Sequence, residues 1–128
     1  MHSEPQRRAR GAQKIGEILG QTPEQVEQSL SDLAPQLTTY VLEVIYGEIY
    51  QAPTLDSRTR QIVTVAALAT LGTAAPQLRT HIGGALRCGV AREELIEIMM
   101  QLVPYVGVAA AINGVAACRD VFATADQR

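Results

Sequence analysis

A long charge-poor stretch constrains the fold of this 128-residue chain more than any other feature of its sequence. Between Gln61 and Ala91 the only charged side chains are Arg79 and Arg87, and the segment IVTVAALATL presents apolar or small groups on every side of a helix. Such a helix is typical of a buried position, so we expect it to be covered on all sides. A few short helices provide little cover, and we therefore expect a second chain to supply the rest.

The composition favours one domain that forms an oligomer. Charged residues make up 19 % of the chain, below the roughly 25 % typical of soluble domains, and a monomer would need more of them on its surface. The length fits a single domain over residues 1–128, with residues 1–12, where Arg7, Arg8 and Arg10 cluster, as a mobile arm. The net charge of -2 argues against a nucleic-acid-binding protein, which would normally have a basic stripe.

The two cysteines and the N-terminal residues give further expectations. Cys88 and Cys118 are far apart in sequence and form no CxxC or Cys/His cluster, so neither a metal site nor a disulfide is predicted. The residues MHSEPQRRAR lead into polar sequence, so no secretory signal is expected and a cytoplasmic protein is predicted. Two charge-free runs, 61–78 and 99–117, contain glycine, proline and many small residues, which favours helix packing within protein over a membrane span.

Hydrophobic spacing predicts an all-α protein of about six helices, since no run alternates with period two. A first helix is expected over residues 6–19, and Thr22 followed by Pro23 is typical of the start of a second. Apolar residues at three- and four-residue steps predict an amphipathic helix over 29–50, which Pro35 either kinks or restarts. Further helices are predicted from Asp56 or Ser57 to Gly72, from Pro76 to Gly89, over 92–103 and over 108–123, with breaks or bends at Pro104 and Gly107.

The only internal histidine lies on the apolar side of its predicted helix. His81 is one turn from Leu78 and Ala85, where its pKa would be sensitive to burial and to any neighbouring carboxylate. A histidine in such a place is more often a hydrogen-bonded structural residue than a catalytic one. Gly83 and Gly84 shift this balance, because glycines inside a helix cost about 1 kcal/mol each and suggest that a helix or a ligand approaches closely.

Three charged residues are candidates for a site around His81. Glu48 lies near the end of an apolar helix, where a negative charge is unfavourable, so a partner such as His81 or an arginine is expected. Arg58 and Arg60 are two residues apart, about 200° around a helix, so only one of them can face a given pocket. The spacing leaves open which one does. The pocket is predicted to hold a small anionic molecule.

Several linked motifs resemble the carboxymuconolactone decarboxylase family, which shares a superfamily with the AhpD-type alkylhydroperoxidases. The motifs are YGEIY, LDSRTR, AALATLG, LRTHIGGAL, CGVAREEL and YVGVAAA. The peroxidase branch needs a CxxC motif with a histidine four residues after the second cysteine. Counted back from His81, these positions hold Ala74 and Gln77, so thiol peroxidase activity is not expected. Gln61 lies near the position where that branch carries a relay glutamate.

The resemblance implies an AhpD-like helical bundle that assembles into a trimer-based homo-oligomer such as a hexamer. It also implies decarboxylation of 4-carboxymuconolactone or a related small carboxylated lactone, with neither a metal nor an organic cofactor. The implied roles are His81 as acid/base, Glu48 as its orienting or relaying partner, and Arg58 or Arg60 as the anchor of the anionic substrate, with Tyr105 as a further substrate-binding residue. The alternative is a small-ligand-binding assembly of the same fold without decarboxylase activity. A redox role would require a reactive cysteine.

Overall fold

The computed structural model describes residues 4–127, which form helices and short connections. Seven α-helices follow one another along the described chain: α1 Glu4–Leu19, α2 Pro23–Leu30, α3 Pro35–Thr39, α4 Ser57–Leu71, α5 Ala75–Arg87, α6 Arg92–Val106 and α7 Val108–Asp126. A π-helix (Tyr40–Ile45) and a short 3-10 helix (Ile49–Gln51) lie between α3 and α4. Residues 4–127 contain no β-strand, so the predicted all-α class is confirmed, with seven α-helices in place of about six.

The chain divides into two compact units, Met1–Asp56 and Ser57–Arg128. We refer to them as the N-terminal unit and the C-terminal unit. Helices α1 to α3 and the π-helix belong to the N-terminal unit, and α4 to α7 belong to the C-terminal unit. Each unit has its own set of packed helices. The sequence predicted a single domain over residues 1–128, and whether the two units fold as one domain is untested.

Short-range sequence signals set several helix ends as predicted. The Thr22 hydroxyl accepts a hydrogen bond from the Gln25 N–H at 3.2 Å, and the Gln25 side chain accepts one from the Thr22 N–H at 2.9 Å. This reciprocal arrangement is a capping box, which fixes the start of α2. Gly72 after α4 and Gly89 after α5 have φ angles of 72° and 89°, which residues with a Cβ atom rarely adopt. Both helices therefore end at the predicted glycines.

The region predicted as one helix over residues 29–50 consists of several shorter elements. Helix α2 ends at Leu30 and Pro35 begins α3, so the alternative in which Pro35 restarts the helix is confirmed. The part after Pro35 does not keep a regular α-helical period, because the π-helix follows α3 directly. Leu33 is 91 % exposed and Leu37 is 49 % exposed, although both belong to the predicted apolar stripe. The prediction of one amphipathic face is therefore wrong for these two residues.

In the N-terminal unit, α1 packs directly on the π-helix and on the turn that follows it, and each contact involves a glycine. A Cβ atom on Gly11 would lie 1.6 Å from the carbonyl oxygen of Leu42, and one on Gly47 would lie 2.5 Å from the carbonyl oxygen of Arg7. Residues 4–12 are part of α1, whose backbone closely approaches that of the π-helix at Gly11, and the mobile arm predicted for residues 1–12 stays a prediction. Residues 1–3 of the predicted arm lie outside the described residues.

An arginine of α1 also contacts two acidic side chains of this unit. Arg8 Nη1 lies 3.4 Å from Oε2 of Glu43 in the π-helix, and Arg8 Nη2 contacts the carboxylate of Glu27 in α2. The Glu43 side chain is only 8 % exposed, and a buried carboxylate requires a partner of this kind. Arg8 therefore holds α1, α2 and the π-helix together.

The core of the C-terminal unit lies where α4, α5, α6 and α7 meet. Its fully buried side chains are Val65, Ile82, Ala85, Leu95, Met99 and Cys118. The buried residues of α5 and α6 follow the helical spacing that the sequence predicted. Burial of a large aliphatic side chain contributes about 1.5–3 kcal/mol, so these residues dominate the stability of this unit.

Helix α4 is only partly covered within one chain. Its Val65 and Ala69 face the core, whereas Val63 is 56 % exposed and Leu71 is 62 % exposed. Other large apolar side chains of the unit are also exposed, namely Met100, Val108 and Ile112. The charge-poor stretch therefore forms apolar surface as well as core. Its cover by a second chain stays a prediction.

Two features of α6 and α7 differ from simple sequence rules. Pro104 lies inside α6, which continues to Val106 and ends at Gly107 with a φ of 91°, so only Gly107 interrupts the chain. By length and composition, the 19-residue α7, in which an 18-residue window has a mean hydropathy of 1.2, could cross a membrane; a core helix of a soluble protein can have the same length and composition. It packs on α5 and α6 within the C-terminal unit. The predicted absence of a membrane partner stays a prediction.

Candidate active site

His81 lies in the middle of α5, at the edge of the core of the C-terminal unit. Pro76 is in the first turn of this helix, and Leu78, Ile82 and Ala85 are buried along its inner face. His81 is one turn from Leu78 and Ala85 and is itself partly buried. The residue therefore lies beside the buried face of α5, and part of its surface stays accessible.

Gln61 of α4 holds the His81 ring. The Gln61 Oε1 atom lies 2.9 Å from Nδ1 of His81, within hydrogen-bond distance. Gln61 is fully buried, with 0 % of its surface exposed. A buried amide needs hydrogen-bond partners to be stable, and α4 and α5 pack so that His81 supplies one. We call the two residues the His81–Gln61 pair.

The partly buried position of His81 also sets its charge. Burial lowers the pKa of His81 below its ordinary value of 6.5, because the charged ring is less well solvated than the neutral one. The ring is therefore mainly neutral at pH 7. An anion bound beside it would favour the charged ring and move the pKa upward again. His81 can thus take up a proton when an anionic ligand arrives, as a general acid must.

Arg58, one of the two predicted anion anchors, contacts a carboxylate of its own unit. Its Nη2 atom donates to Glu94 Oε2 at the start of α6, and Glu94 Oε1 accepts from the Ala91 N–H at 2.9 Å. The Arg58 guanidinium and the Ala91 N–H hold the pKa of Glu94 below its usual value. The Arg58 side chain is 40 % exposed, so its ion pair competes with water. Arg58 joins α4 to α6, and part of its side chain is exposed.

Arg60, the other predicted anchor, lies on a different side of α4. Residues two apart are separated by about 200° on a helix, so Arg60 points away from the side on which Arg58 meets Glu94. Arg60 is partly buried, and its backbone carbonyl accepts a hydrogen bond from the Thr64 hydroxyl at 2.8 Å. The binding of an anion by Arg58 or Arg60 stays a prediction.

Two further positions noted in the sequence are open in the described chain. Tyr105, in the last turn of α6, is 76 % exposed. Within residues 4–127, no atom outside the adjoining backbone of α5 would lie within 4 Å of a Cβ atom on Gly83. The close approach of another helix that was expected at this glycine is therefore not seen within one chain. Gly84, its neighbour, is buried on the core side of α5. The substrate contact proposed for Tyr105 stays a prediction.

Glu48 belongs to the N-terminal unit, in the turn between the π-helix and the 3-10 helix. Its Oε1 atom is buried and has no hydrogen-bond partner among the described residues. Tyr46 and Tyr50 lie on either side of it in sequence, and their ring centroids are 4.6 Å apart. A buried carboxylate oxygen without a partner is costly, which keeps Glu48 a candidate for function. Its role as the partner of His81 stays a prediction.

A cavity of about 230 Å³ lies in the C-terminal unit between α4, α5 and α7. Small and apolar residues form most of its wall, and the polar residues Arg79, Asn113 and Asp120 are exposed at its edge. Its lining includes none of the predicted site residues of this unit, which are His81, Arg58, Arg60 and Tyr105. The cavity is therefore separate from the His81–Gln61 pair.

The cysteines do not favour thiol chemistry. No disulfide joins Cys88 and Cys118. Burial raises the pKa of Cys118 to about 11, so this thiol stays protonated and weakly nucleophilic near neutral pH. Within residues 4–127 no three His, Cys, Asp or Glu side chains form a group that could hold a metal ion.

The residue that sequence reasoning did not assign to the site is Gln61. The sequence contained one signal, since Gln61 lies near the position of a relay glutamate in the peroxidase branch of the superfamily. Its contact with His81 joins two helices and depends on how α4 packs on α5. Neither the periodicity of α4 nor that of α5 could have predicted that contact.

Comparisons with known proteins agree with these motifs. The sequence model of the carboxymuconolactone decarboxylase family matches residues 35–120. A protein of Acinetobacter baylyi named 4-carboxymuconolactone decarboxylase is 27 % identical over 121 residues, which are 94 % of this chain and 90 % of that protein. An uncharacterized 15.0 kDa protein from the nqo9-nqo10 intergenic region of Paracoccus denitrificans is 28 % identical over 101 residues, 78 % of this chain and 75 % of its own length.

Proposed function

Because the chain belongs to the carboxymuconolactone decarboxylase family, we propose that it is a carboxy-lyase acting on 4-carboxymuconolactone or a related small carboxylated lactone without a cofactor. The observation that carries the proposal is the His81–Gln61 pair, a partly buried imidazole bonded at Nδ1 to a neutral amide. The name of the Acinetobacter baylyi relative supports the choice of substrate class.

The chemistry requires a positioned acid. When the carbon–carboxylate bond breaks and carbon dioxide leaves, the electron pair moves through the conjugated ring onto the lactone carbonyl oxygen. The site must stabilise this oxyanion and then protonate carbon. In our proposal the charged His81 ring donates that proton through Nε2, while Nδ1 remains bonded to Gln61. The ring regains a proton from water before the next cycle.

The other predicted site residues would bind and orient the substrate. A guanidinium can hold a carboxylate through two parallel hydrogen bonds, which suits Arg58 or Arg60 as the anchor. The partly exposed side chain of Arg58 would have to exchange Glu94 for the substrate carboxylate, whereas Arg60 would bind from another side of α4. Tyr105 would contact the substrate, and Glu48 would orient His81 or relay a proton to it.

The decisive experiment follows the ultraviolet absorbance of 4-carboxymuconolactone and of a panel of carboxylated lactones. We expect turnover by the wild type and a loss of about 10²–10⁴-fold in the His81→Ala variant, the range typical of a general acid. Thr80→Ala is the matched control, because Thr80 is the exposed neighbour of His81 in α5 and its hydroxyl bonds only its own helix, at Pro76 O. Circular dichroism checks that both variants fold.

Two outcomes would contradict the proposal. A wild-type protein without activity on every lactone of the panel would exclude the decarboxylase. Full activity in folded His81→Ala would remove the assigned acid.

We also propose that the protein is a cytoplasmic homo-oligomer built from trimers, such as a hexamer. The exposed apolar residues of the C-terminal unit support this assembly, since Val63, Leu71 and Ile112 are each more than half exposed. Light scattering should give a mass several times that of one chain. A single species of monomer mass at micromolar concentration would contradict the assembly.

The second candidate function is the binding of a small ligand without turnover. The cavity between α4, α5 and α7 favours it, because the cavity does not include His81 in its lining. Calorimetry with carboxylated lactones distinguishes the two functions: binding that persists in both wild type and His81→Ala, without any turnover, would favour the non-catalytic protein.

A further inference from the structure

We propose that Gln61 is a positioning residue that fixes His81 as the Nδ1–H tautomer, so that every proton His81 exchanges with a ligand passes through Nε2. The inference about the tautomer needs no catalytic activity. Its extension to an anionic substrate rests on the proposed function.

The first step of the argument concerns donors and acceptors. The atom of Gln61 that faces His81 is the carbonyl oxygen Oε1, which can only accept a hydrogen bond. At 2.9 Å the contact is favourable only when Nδ1 of His81 carries the hydrogen, because two lone pairs would otherwise face each other. A neutral imidazole with its hydrogen on Nδ1 has a free lone pair on Nε2.

The second step concerns the conditions under which this bond persists. The carbonyl of Gln61 accepts the same Nδ1 hydrogen whether the ring is neutral or charged. When Nε2 takes up a proton and releases it again, the bond to Gln61 need not change. An amide also cannot receive the proton itself, so the proton stays on the ring until Nε2 delivers it.

The third step concerns charge. The His81–Gln61 pair has a charge of zero or plus one, depending on the protonation of the ring. With glutamate in place of Gln61, the charge of the pair would be minus one or zero, and a negative pair would repel an anionic ligand. A carboxylate would also be costly at a position that is fully buried, whereas a hydrogen-bonded amide is not. The neutral partner therefore suits a site that accepts carboxylate substrates.

The direct test is nitrogen NMR of the protein with ¹⁵N-labelled histidine at a pH where the ring is neutral. Free imidazole side chains in water favour the Nε2–H form, so the two possibilities give opposite spectra. We expect a protonated Nδ1 and an unprotonated Nε2 for His81. The His81→Gln variant assigns the signal, because the only other histidine of the chain is His2. An Nε2–H signal for His81 in the wild type would overturn the inference.

Two variants of Gln61 extend the test to function. Gln61→Met keeps the length of the side chain but removes the acceptor, and we expect the Nε2–H form to increase and kcat to fall about 10- to 100-fold, as for other residues that orient a functional histidine. Gln61→Glu keeps an acceptor but adds charge, and we expect it to raise KM for the anionic lactone more than it lowers kcat. Equal effects of both variants on kcat and KM would contradict the assignment.

The control is Thr70→Val, which removes a helix-internal hydrogen bond of 2.9 Å from the same helix at an exposed position and should leave the spectrum and the kinetics unchanged. Circular dichroism and thermal melting exclude misfolded variants. A wild type that turns over no lactone would refute the proposed function, whereas the wild-type spectrum decides the tautomer independently of activity.

Discussion

Each of the two units buries one long polar side chain, and they satisfy it in different ways. In the N-terminal unit the carboxylate of Glu43 lies 3.4 Å from the guanidinium of Arg8. In the C-terminal unit the amide of Gln61 lies 2.9 Å from the imidazole of His81. An ion pair stabilises the charge of both partners, whereas a neutral amide allows its partner to change charge. The first pair suits a structural role and the second suits proton exchange.

The close contacts of the units also differ in rigidity. In the N-terminal unit a Cβ atom on Gly11 would meet the backbone of Leu42, which cannot move without shifting the π-helix. In the C-terminal unit a Cβ atom on Gly114 would lie 2.3 Å from the sulfur of Met99, the flexible part of a long side chain. Gly11 in the N-terminal unit is therefore less tolerant of added volume than Gly114 in the C-terminal unit.

The largest predicted effect is that of Gly11→Ala. The added methyl group would separate α1 from the π-helix, and we expect the free energy of unfolding to fall by at least about 3 kcal/mol, at the upper end for overpacking. Chemical denaturation measures the change. In Gly16→Ala, the control in the same helix, the nearest atom would be 3.7 Å away, so that variant should be neutral or slightly stabilising. Gly114→Ala should lie between the two, and a loss as large as that of Gly11→Ala would contradict the contrast between the units.

A smaller effect is predicted for Glu43→Gln. The substitution keeps the shape of the side chain but removes the charge opposite Arg8, and we expect a loss of about 1–2 kcal/mol because Glu43 is buried while Arg8 is 38 % exposed. The exposed Glu17, 3.5 Å from Lys14, is the matched ion pair. Glu17→Gln should change the stability by less than about 0.5 kcal/mol. Equal losses in urea denaturation would indicate that burial of Glu43 adds nothing to its ion pair.

The smallest predicted effect is the dependence of stability on pH near neutrality. Burial lowers the pKa of His81, so the unfolded chain binds a proton near pH 6.5 while the folded chain stays neutral to lower pH. The stability contributed by the neutral ring is complete above about pH 6.5 and decreases as the pH falls toward the lower pKa of the folded state. Urea titrations at several pH values between 5 and 8 measure this slope.

The variant His81→Asn, which cannot titrate, should flatten that slope. Arg58 lowers the pKa of Glu94, and Arg92 lowers the pKa of Asp126. The stability contributed by these ion pairs is therefore lost only when the pH falls below the ordinary pKa values of 4.5 and 3.8 and the carboxylates become protonated. An unchanged slope in folded His81→Asn would show that His81 is not the group responsible.

The sequence predicted those features that depend on neighbouring residues. The N-cap at Thr22 and the glycines that end α4 and α5 act within a few positions of the chain, and all were correctly predicted, whereas the reciprocal bond from Gln25 was not. The apolar face of α5, and with it the placement of His81 at the edge of a core, follows from the helical repeat alone. The linked motifs were sufficient to predict the family.

Only the tertiary structure decided which distant residues meet. Gln61 and His81 are on different helices, as are Arg58 and Glu94. Arg8 meets Glu43 only because the π-helix packs against α1. The burial of α4 is likewise decided by packing, since one chain buries Val65 and Ala69 but leaves Val63 and Leu71 exposed. Propensities and periodicity act along the chain, whereas hydrogen bonds and burial depend on the position of every element at once. The amino-acid order therefore determined the helices and their family, and the packing of those helices determined the partner of the histidine.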